Sequence, residues 1–398
     1  MHPGAKGNKD PIMVAETSEP VTFLTVPVEK TSDFTLDDFA GNHQAMDYYH
    51  KHGAATLEHV FTLANILHMH KLVREAAMFY GLAYNMHSKQ PGHYPLASAL
   101  LQARLLCLLK AGLEPPAEEL KQLRALSKTT YDYISGIQIA WREHNAVKAL
   151  KRMDNCFEIF HTGEEVDVLY LETALSVLPE PKQPAVAPED RRIPPKIHMY
   201  WDKNPPLEVQ DNYEYHCDLE GFEVQLFDRE EGAEWLYEYY GKEAQDLFLK
   251  ARHPAEAADF LRVHVIQELG GWWLDADIRI TSPETLEQYT ARHPSHMFFV
   301  TDNYYVHNDF FGSHHNSPIL ADCLLSLYRN SYLHEGLYIA YKTGPGVFNR
   351  ALNRRLHNAF RTGRPFDPSV LVLRAPEFNS IIQDMDMDYK KGGNWHAA

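Results

Sequence analysis

The chain is poor in basic residues. Thirty-eight Lys and Arg stand against 54 Asp and Glu in 398 residues, a formal net charge of −16. No cationic excess is present to neutralise a phosphate backbone, which argues against a nucleic-acid partner. Cysteine is scarce as well: Cys107, Cys156, Cys217 and Cys323 are widely scattered. They lack the paired spacing of a zinc or redox motif and read as ordinary reduced thiols. No run of 18 uninterrupted apolar residues occurs, so no membrane span is written in the sequence. Residues 1–30 lack the charged start and apolar run of a secretion signal. What is present is ordinary for a globular protein, 44% apolar and 23% charged, with length enough for two cores. Any anionic ligand must therefore be held by a metal or by a few local cations.

Residues 1–41 are polar, contain proline and show no clear periodicity, as expected of a loosely packed leader. Residues 42–178 carry a helical signal throughout. Runs over 56–70, 73–87 and 96–113 are rich in Ala, Leu and Met, and breaks fall at Gly53, Pro91-Gly92 and Pro115-Pro116. The run ending near Met69 and the following Val73-Arg74-Glu75-Ala76-Ala77-Met78-Phe79-Tyr80 are similar to a tetratricopeptide unit, although three copies at a fixed period do not align. Stacked helical hairpins are expected there, either as a layer that binds a partner or acceptor or as a structural or dimerising platform. Residues 179–192 are too proline-dense for helix or central strand and read as a linker and domain boundary. From residue 193 onward, strands at 197–201, 222–227, 272–280 and 296–301 alternate with helical stretches. That order predicts an α/β domain with a mostly parallel sheet and a ligand crevice at the carboxyl ends of its strands.

Residues 253–280 organise this second half. Pro254 fits the first helical position, Glu256 the first turn, and Gly270-Gly271 the stop. Between them Ala258, Leu261, Val265 and Leu269 form an apolar stripe for a sheet, and Asp259 and Arg262, three apart, lie close together. After the glycines the period changes to two. Leu274, Ala276 and Ile278 face one way; Trp273, Asp275 and Asp277 face the other. A strand would thus deliver two carboxylates starting about 6 to 7 Å apart, able to present oxygens to one hard divalent cation that relieves their repulsion.

The helix with Asp259 and Arg262, the double glycine, the aromatic pair and Asp275-Ala276-Asp277 resemble the nucleotide-sugar glycosyltransferases that share a DXD sugar-binding region. That group includes the yeast outer-chain mannosyltransferases, capsular polysaccharide glycosyltransferases and large clostridial glucosylating toxins. The opening Ile193-Pro194-Pro195-Lys196-Ile197-His198-Met199-Tyr200-Trp201 is similar to the same family's first strand, so the resemblance covers residues 193–398. It implies a GT-A-like, Rossmann-like catalytic domain and transfer of a hexose, with retention of configuration, from a UDP- or GDP-sugar to a hydroxyl of a glycan, polysaccharide or protein. It further implies that Asp275 and Asp277 hold Mn²⁺ or Mg²⁺, that Asp259 and Arg262 orient the sugar and phosphate, and that Trp201 stacks on the base. Tyr200, Asp228 and Trp273 are further candidates for nucleotide-sugar contact. Asn308-Asp309 and the following loop through Pro318, and Thr343-Gly344-Pro345, are similar to family loops that reach donor or acceptor. His198, among apolar strand residues, reads as a structural histidine.

The tail departs from the family pattern. Relatives end with a metal ligand a few residues before a tryptophan; here Asn394-Trp395-His396 is followed only by Ala397-Ala398. His396 is the candidate third ligand, with Trp395 as an alternative lid. The acidic run 384–388 reads as a solvated stretch. Golgi members of the group carry an N-terminal anchor, and its absence here points to a cytoplasmic, bacterial enzyme. Two rivals remain on sequence grounds. One is a helical-repeat scaffold joined to an inactive transferase-like domain. The other is a phosphatase using Asp275 and Asp277, although those motifs continue into a small residue and Thr where Ile278-Arg279 stands here.

Overall fold

The computed structural model describes residues 39, 41–88, 94–178, 185–388 and 390. The expected leader, except Phe39 and Gly41, lies outside the described residues, as do residues 179–184 of the expected linker and the tail from 391, with His396. The chain forms two compact units, Met1–Ile134 and Ser135–Ala398.

The first unit is helical. Helices Leu57–Met69, Val73–Ser88, Ala97–Lys110 and Ala117–Leu126 each pack on the next in sequence. Their shared core includes Val60, Leu63, Leu67, Ala76, Phe79, Ala83, Leu101 and Leu105, all buried. Arg104 braces them: its Nε donates to Glu119 Oε2 at 2.8 Å and its Nη1 to the Ala77 carbonyl at 2.8 Å.

The second unit begins well upstream of the proline-rich stretch where the sequence suggested a boundary. The reason is a buried polar joint. Asp167, on helix Glu165–Leu175, accepts Arg350 Nε at 2.7 Å and Nη2 at 3.0 Å. Arg350, on helix Pro345–Thr362, is 1% exposed. Arg354 on the same helix pairs with Glu158 at 2.6 Å. Removing either partner from such a buried pair leaves a charge uncompensated, so residues 146–175 belong with the α/β part.

The strands are β1 (Lys196–Tyr200), β2 (Glu223–Phe227), β3 (Gly271–Leu274), β4 (Ile278–Ile280), β5 (His296–Phe299), β6 (Phe310–Ser313), β7 (Val370–Leu373) and β8 (Ile382–Asp384). Six form one sheet in the order β2-β1-β3-β6-β5-β7. β1 runs parallel to β2 and β3, and β5 parallel to β7, while β6 is antiparallel to both of its neighbours. The α/β expectation is met by a mixed sheet, with β6 the strand that runs the other way. β3, β5 and β6 are buried along their whole length, as strands covered on both faces are. β4 and β8 form a separate antiparallel pair.

The helix before β3 runs Pro254–Leu269 with Pro254 at its start and Gly270 as its C-cap. It differs from expectation in having no single apolar stripe: residues 259 to 266 are all buried, including Asp259, Arg262 and His264. Gly271 has φ +105° and lies so close to β1 that a Cβ would sit 2.6 Å from the Lys196 carbonyl oxygen. Gly271→Ala is expected to destabilise the unit by about 1 to 3 kcal/mol. Urea unfolding followed by tryptophan fluorescence, with Trp272 and Trp273 next in sequence as reporters, measures this; an unshifted midpoint would show the close approach to be dispensable.

Candidate active site

The expected single strand over 272–280 is two strands. β3 ends at Leu274, Asp275 to Asp277 form a turn closed by Ile278 N donating to the Asp275 carbonyl at 3.2 Å, and β4 follows. The alternation of Leu274, Ala276 and Ile278 mimicked one strand because all three are buried in the turn as well. The Asp-x-Asp therefore sits on a turn past the end of β3 rather than along a strand.

Several elements meet there. β1, β2 and β3 are parallel neighbours, so Trp201, Asp228 and Asp275 follow strands that end on the same side. β6 pairs antiparallel with β3, Leu274 opposite Phe310, which sets Asp309 beside Asp275; the Asp275 N–H donates to the Asp309 carbonyl at 2.8 Å. In open α/β sheets ligands bind at this position, outside the carboxyl ends of the strands.

Asp275 is held by three contacts. Arg262 Nη2 donates to its Oδ1 at 2.9 Å and Oδ2 at 3.2 Å, and Trp273 Nε1 donates to Oδ1 at 2.7 Å. Arg262, 3% exposed, also donates through Nη1 to the Asn308 carbonyl at 2.6 Å and lies 3.2 Å from Asp259 Oδ1. Asp259 in turn accepts Asn308 Nδ2 at 2.8 Å and the Thr343 hydroxyl at 3.1 Å. Burial pushes the Asp259 carboxyl up to about 6 against the pull of Arg262. Burial also pushes Asp275 upward; Arg262 opposes this, while Asp277 and Asp309 add to it. The pattern is negative charge crowded around one cation.

Asp277 stands at the rim. Its Oδ2 lies 3.1 Å from Lys390 Nζ, which also bonds Asp384. Burial works against the Lys390 charge, but Asp384 and Asp277 outweigh it and raise its pKa. The acidic run expected to be solvated is thus partly structural: β8 pairs with β4, and Met385 N donates to the Asp277 carbonyl at 3.0 Å.

The other predicted residues sort by burial. Trp273 is fully buried, with the Arg262 guanidinium 5.4 Å from its ring, so it supports Asp275 and has no face for a ligand. Tyr200 is 5% exposed, packs edge-on against Phe248 and donates to Asp202 Oδ1 at 2.7 Å. It too lies in the wall. Trp201 is half-buried at the end of β1, its Nε1 donating to the Lys203 carbonyl at 3.1 Å. Asp228 is exposed and caps helix Arg229–Tyr240 through a capping box with Glu231. His198 is buried with Nε2 3.2 Å from the Gly270 carbonyl, and burial lowers it to about 4. Of the loop after Asn308, only Asn308 and Asp309 reach the site. β6 carries the chain away, and His314 and His315 lie past its far end, beyond Ser313 opposite Gly271. Thr343-Gly344 serves Asp259, and Lys342 pairs with the buried Glu256.

No family model matches this chain, and no curated protein matches it. Among solved structures, one described as "PaToxG Glycosyltransferase" aligns with 56% of this chain and 90% of its own, at 15% identity and a TM-score of 0.34. A likeness of that size fixes neither activity nor substrate.

Among the described residues, no three His, Cys, Asp or Glu side chains are arranged to hold a metal ion. The donor set still suits a hard cation of another kind. Mg²⁺-type sites use one or two carboxylates and complete their shell with water and substrate phosphate. Asp275 and Asp277 are two oxygen donors, 26% and 29% exposed. Sequence reasoning missed Lys390 and the buried Asn212 described below, neither of which carries a local motif. No helix among the described residues is long and apolar enough to cross a membrane.

Proposed function

We propose that the chain is a glycosyltransferase that takes a hexose from a UDP- or GDP-sugar to a hydroxyl acceptor, with retention of configuration. The observation that carries this reading is the carboxylate pair Asp275 and Asp277 on a turn at the carboxyl end of β3, backed by the Arg262–Asp259 pair. A divalent cation bound by Asp275 and Asp277 would supply positive charge for the leaving diphosphate. The chain's own residues supply the rest. Arg262 and Trp273 fix the Asp275 carboxylate so that it needs no reorganisation during reaction. Asp259, buried and fixed by Asn308 and Thr343, holds the Arg262 guanidinium in place behind Asp275. Trp201 offers a half-buried indole at the end of β1 for the base, a stack worth roughly 1 to 3 kcal/mol. A cation held by Asp277 would take the place that Lys390 Nζ occupies, 3.1 Å from its Oδ2.

The test is calorimetric titration of the purified chain with UDP and with GDP, with and without Mn²⁺. One nucleotide is expected to bind with Mn²⁺ and to bind at least tenfold more weakly without it, in line with the loss of a charge-assisted contact. Failure of both nucleotides under every metal condition would overturn the reading.

A further inference from the structure

Helix Leu207–Cys217 lies against the turn and β4, and three of its side chains grip the backbone there. Asn212 Nδ2 donates to the Ala276 carbonyl at 3.0 Å and to the Ile278 carbonyl at 2.8 Å, the carbonyls on either side of Asp277. Arg279 Nε donates to Asn212 Oδ1 at 2.8 Å, which fixes the amide's orientation, and the Arg279 guanidinium lies 4.5 Å over the Tyr215 ring. One residue further along β4, the Tyr215 hydroxyl donates to the Ile280 carbonyl at 2.9 Å. His216 Nε2 accepts the Ile280 N–H at 3.1 Å while its Nδ1 donates to the Asn212 carbonyl at 2.7 Å. Asn212 and His216 are both fully buried.

We infer that Asn212 is the positioning residue of the cation site: it sets the direction in which Asp277 presents its carboxylate. The inference rests on the metal-site reading above. The chemistry of the contact is specific. Two carbonyls that face one group need two N–H bonds; an amide nitrogen has both, a carboxylate has none, and a hydroxyl has one. A flipped amide would set its oxygen against both carbonyls, and Arg279 holds it the other way. Together with Met385 N on the Asp277 carbonyl, these bonds pin the backbone on both sides of a side chain that itself stays 29% exposed. Asp275 and Asp277 are therefore aimed by separate means. Arg262 and Trp273 hold the Asp275 carboxylate directly, whereas Asn212 holds the backbone that carries Asp277.

The test is the affinity of the full chain for Mn²⁺ alone, read from the electron paramagnetic resonance of the free ion, in the wild type, Asn212→Ala and Arg279→Met. Loss of a group that orients a metal ligand typically weakens metal binding about 10- to 100-fold, and that is the expected loss in Asn212→Ala. Arg279→Met keeps the amide but frees it to rotate, and a smaller loss is expected. Near-ultraviolet circular dichroism shows which variants fold. A role confined to holding β4 would move the unfolding midpoint and leave Mn²⁺ affinity of the folded protein unchanged. Unchanged affinity in folded Asn212→Ala overturns the inference, as does unchanged affinity in Arg279→Met if Asn212→Ala does not fold. Wild-type protein that binds no Mn²⁺ overturns the metal-site reading along with it.

Discussion

Asp277→Ala is expected to lower turnover by about a hundred- to a thousandfold, the usual cost of one contact to charge that develops in the transition state. Its unfolding midpoint is expected to stay near that of the wild type. The two halves of this expectation have separate causes. The Asp277 carboxylate is 29% exposed and its ion pair with Lys390 is equally exposed, so the pair contributes at most about 1 kcal/mol. The turn itself is held through its backbone, by Asn212 and by Met385 N, and those bonds survive loss of the side chain. Asp275→Ala is a poorer probe. It strips Arg262, 3% exposed, of the carboxylate it holds at 2.9 Å and leaves Trp273 Nε1 without its acceptor, so stability and activity fall together. The measurement is initial rate against a hydroxyl acceptor beside a denaturation curve. Near-wild-type turnover in Asp277→Ala would refute the assignment; a collapse of the midpoint would show that the side chain holds the turn.

The second large effect concerns pH. His264 is fully buried on helix Pro254–Leu269, with Nδ1 2.7 Å from the Phe260 carbonyl and Nε2 2.9 Å from the Tyr328 hydroxyl. Burial lowers it from 6.5 to about 4. In the unfolded chain the same imidazole takes a proton near pH 6.5. Between those values the unfolded state binds a proton that the folded state refuses, so His264 removes stability as pH falls from 6.5 to 4 and has no pH dependence above about 7.5. A shift of this size corresponds to about 3 kcal/mol. Asp259, raised to about 6 in the folded state, acts in the opposite sense over part of the same range, because its folded form takes up a proton before the unfolded form does. The wild-type profile sums these two with other shifted groups, His198 and His216 among them. The clean quantity is the stability of the wild type minus that of His264→Gln, which is expected to fall by about 3 kcal/mol between pH 7.5 and 4. Urea denaturation at four or five pH values measures it. A difference that stays constant with pH would mean that His264 takes up a proton as readily in the folded state as in the unfolded chain.

Much of the frame was legible in the sequence because its signals are local. Pro254 and Gly270-Gly271 bound a helix as expected, and Asp259 and Arg262 meet at 3.2 Å as their spacing requires. Trp273 and Asp275, two apart, share a side of the chain and hydrogen-bond. The turn at Asp275 was hidden because Ala276 and Ile278 are buried whether the chain runs straight or folds back. The direction of Arg262 toward Asp275 depends on β6 running antiparallel to β3 and bringing the Asn308 carbonyl up to the guanidinium. No pattern within one segment encodes that. The same holds for Asn212, whose partners lie 64 and 66 residues away, and for Lys390, 113 residues from Asp277. Trp273 and Tyr200 are candidates on sequence grounds because an aromatic side chain suits a ligand contact or a core equally; both are buried.

The Asp167–Arg350 joint bears on what the α/β half can be exchanged with. Its two ends lie 183 residues apart and on opposite sides of the proline-rich stretch, so that stretch is a crossing and not a seam. A fragment cut there would carry Arg350 into its interior with no counter-charge. Recombination that swaps whole segments at residue 193 would break the same joint unless both partners moved together. The α/β part is thus not a portable cassette, and the helices over residues 146–175 must move with it to keep the joint.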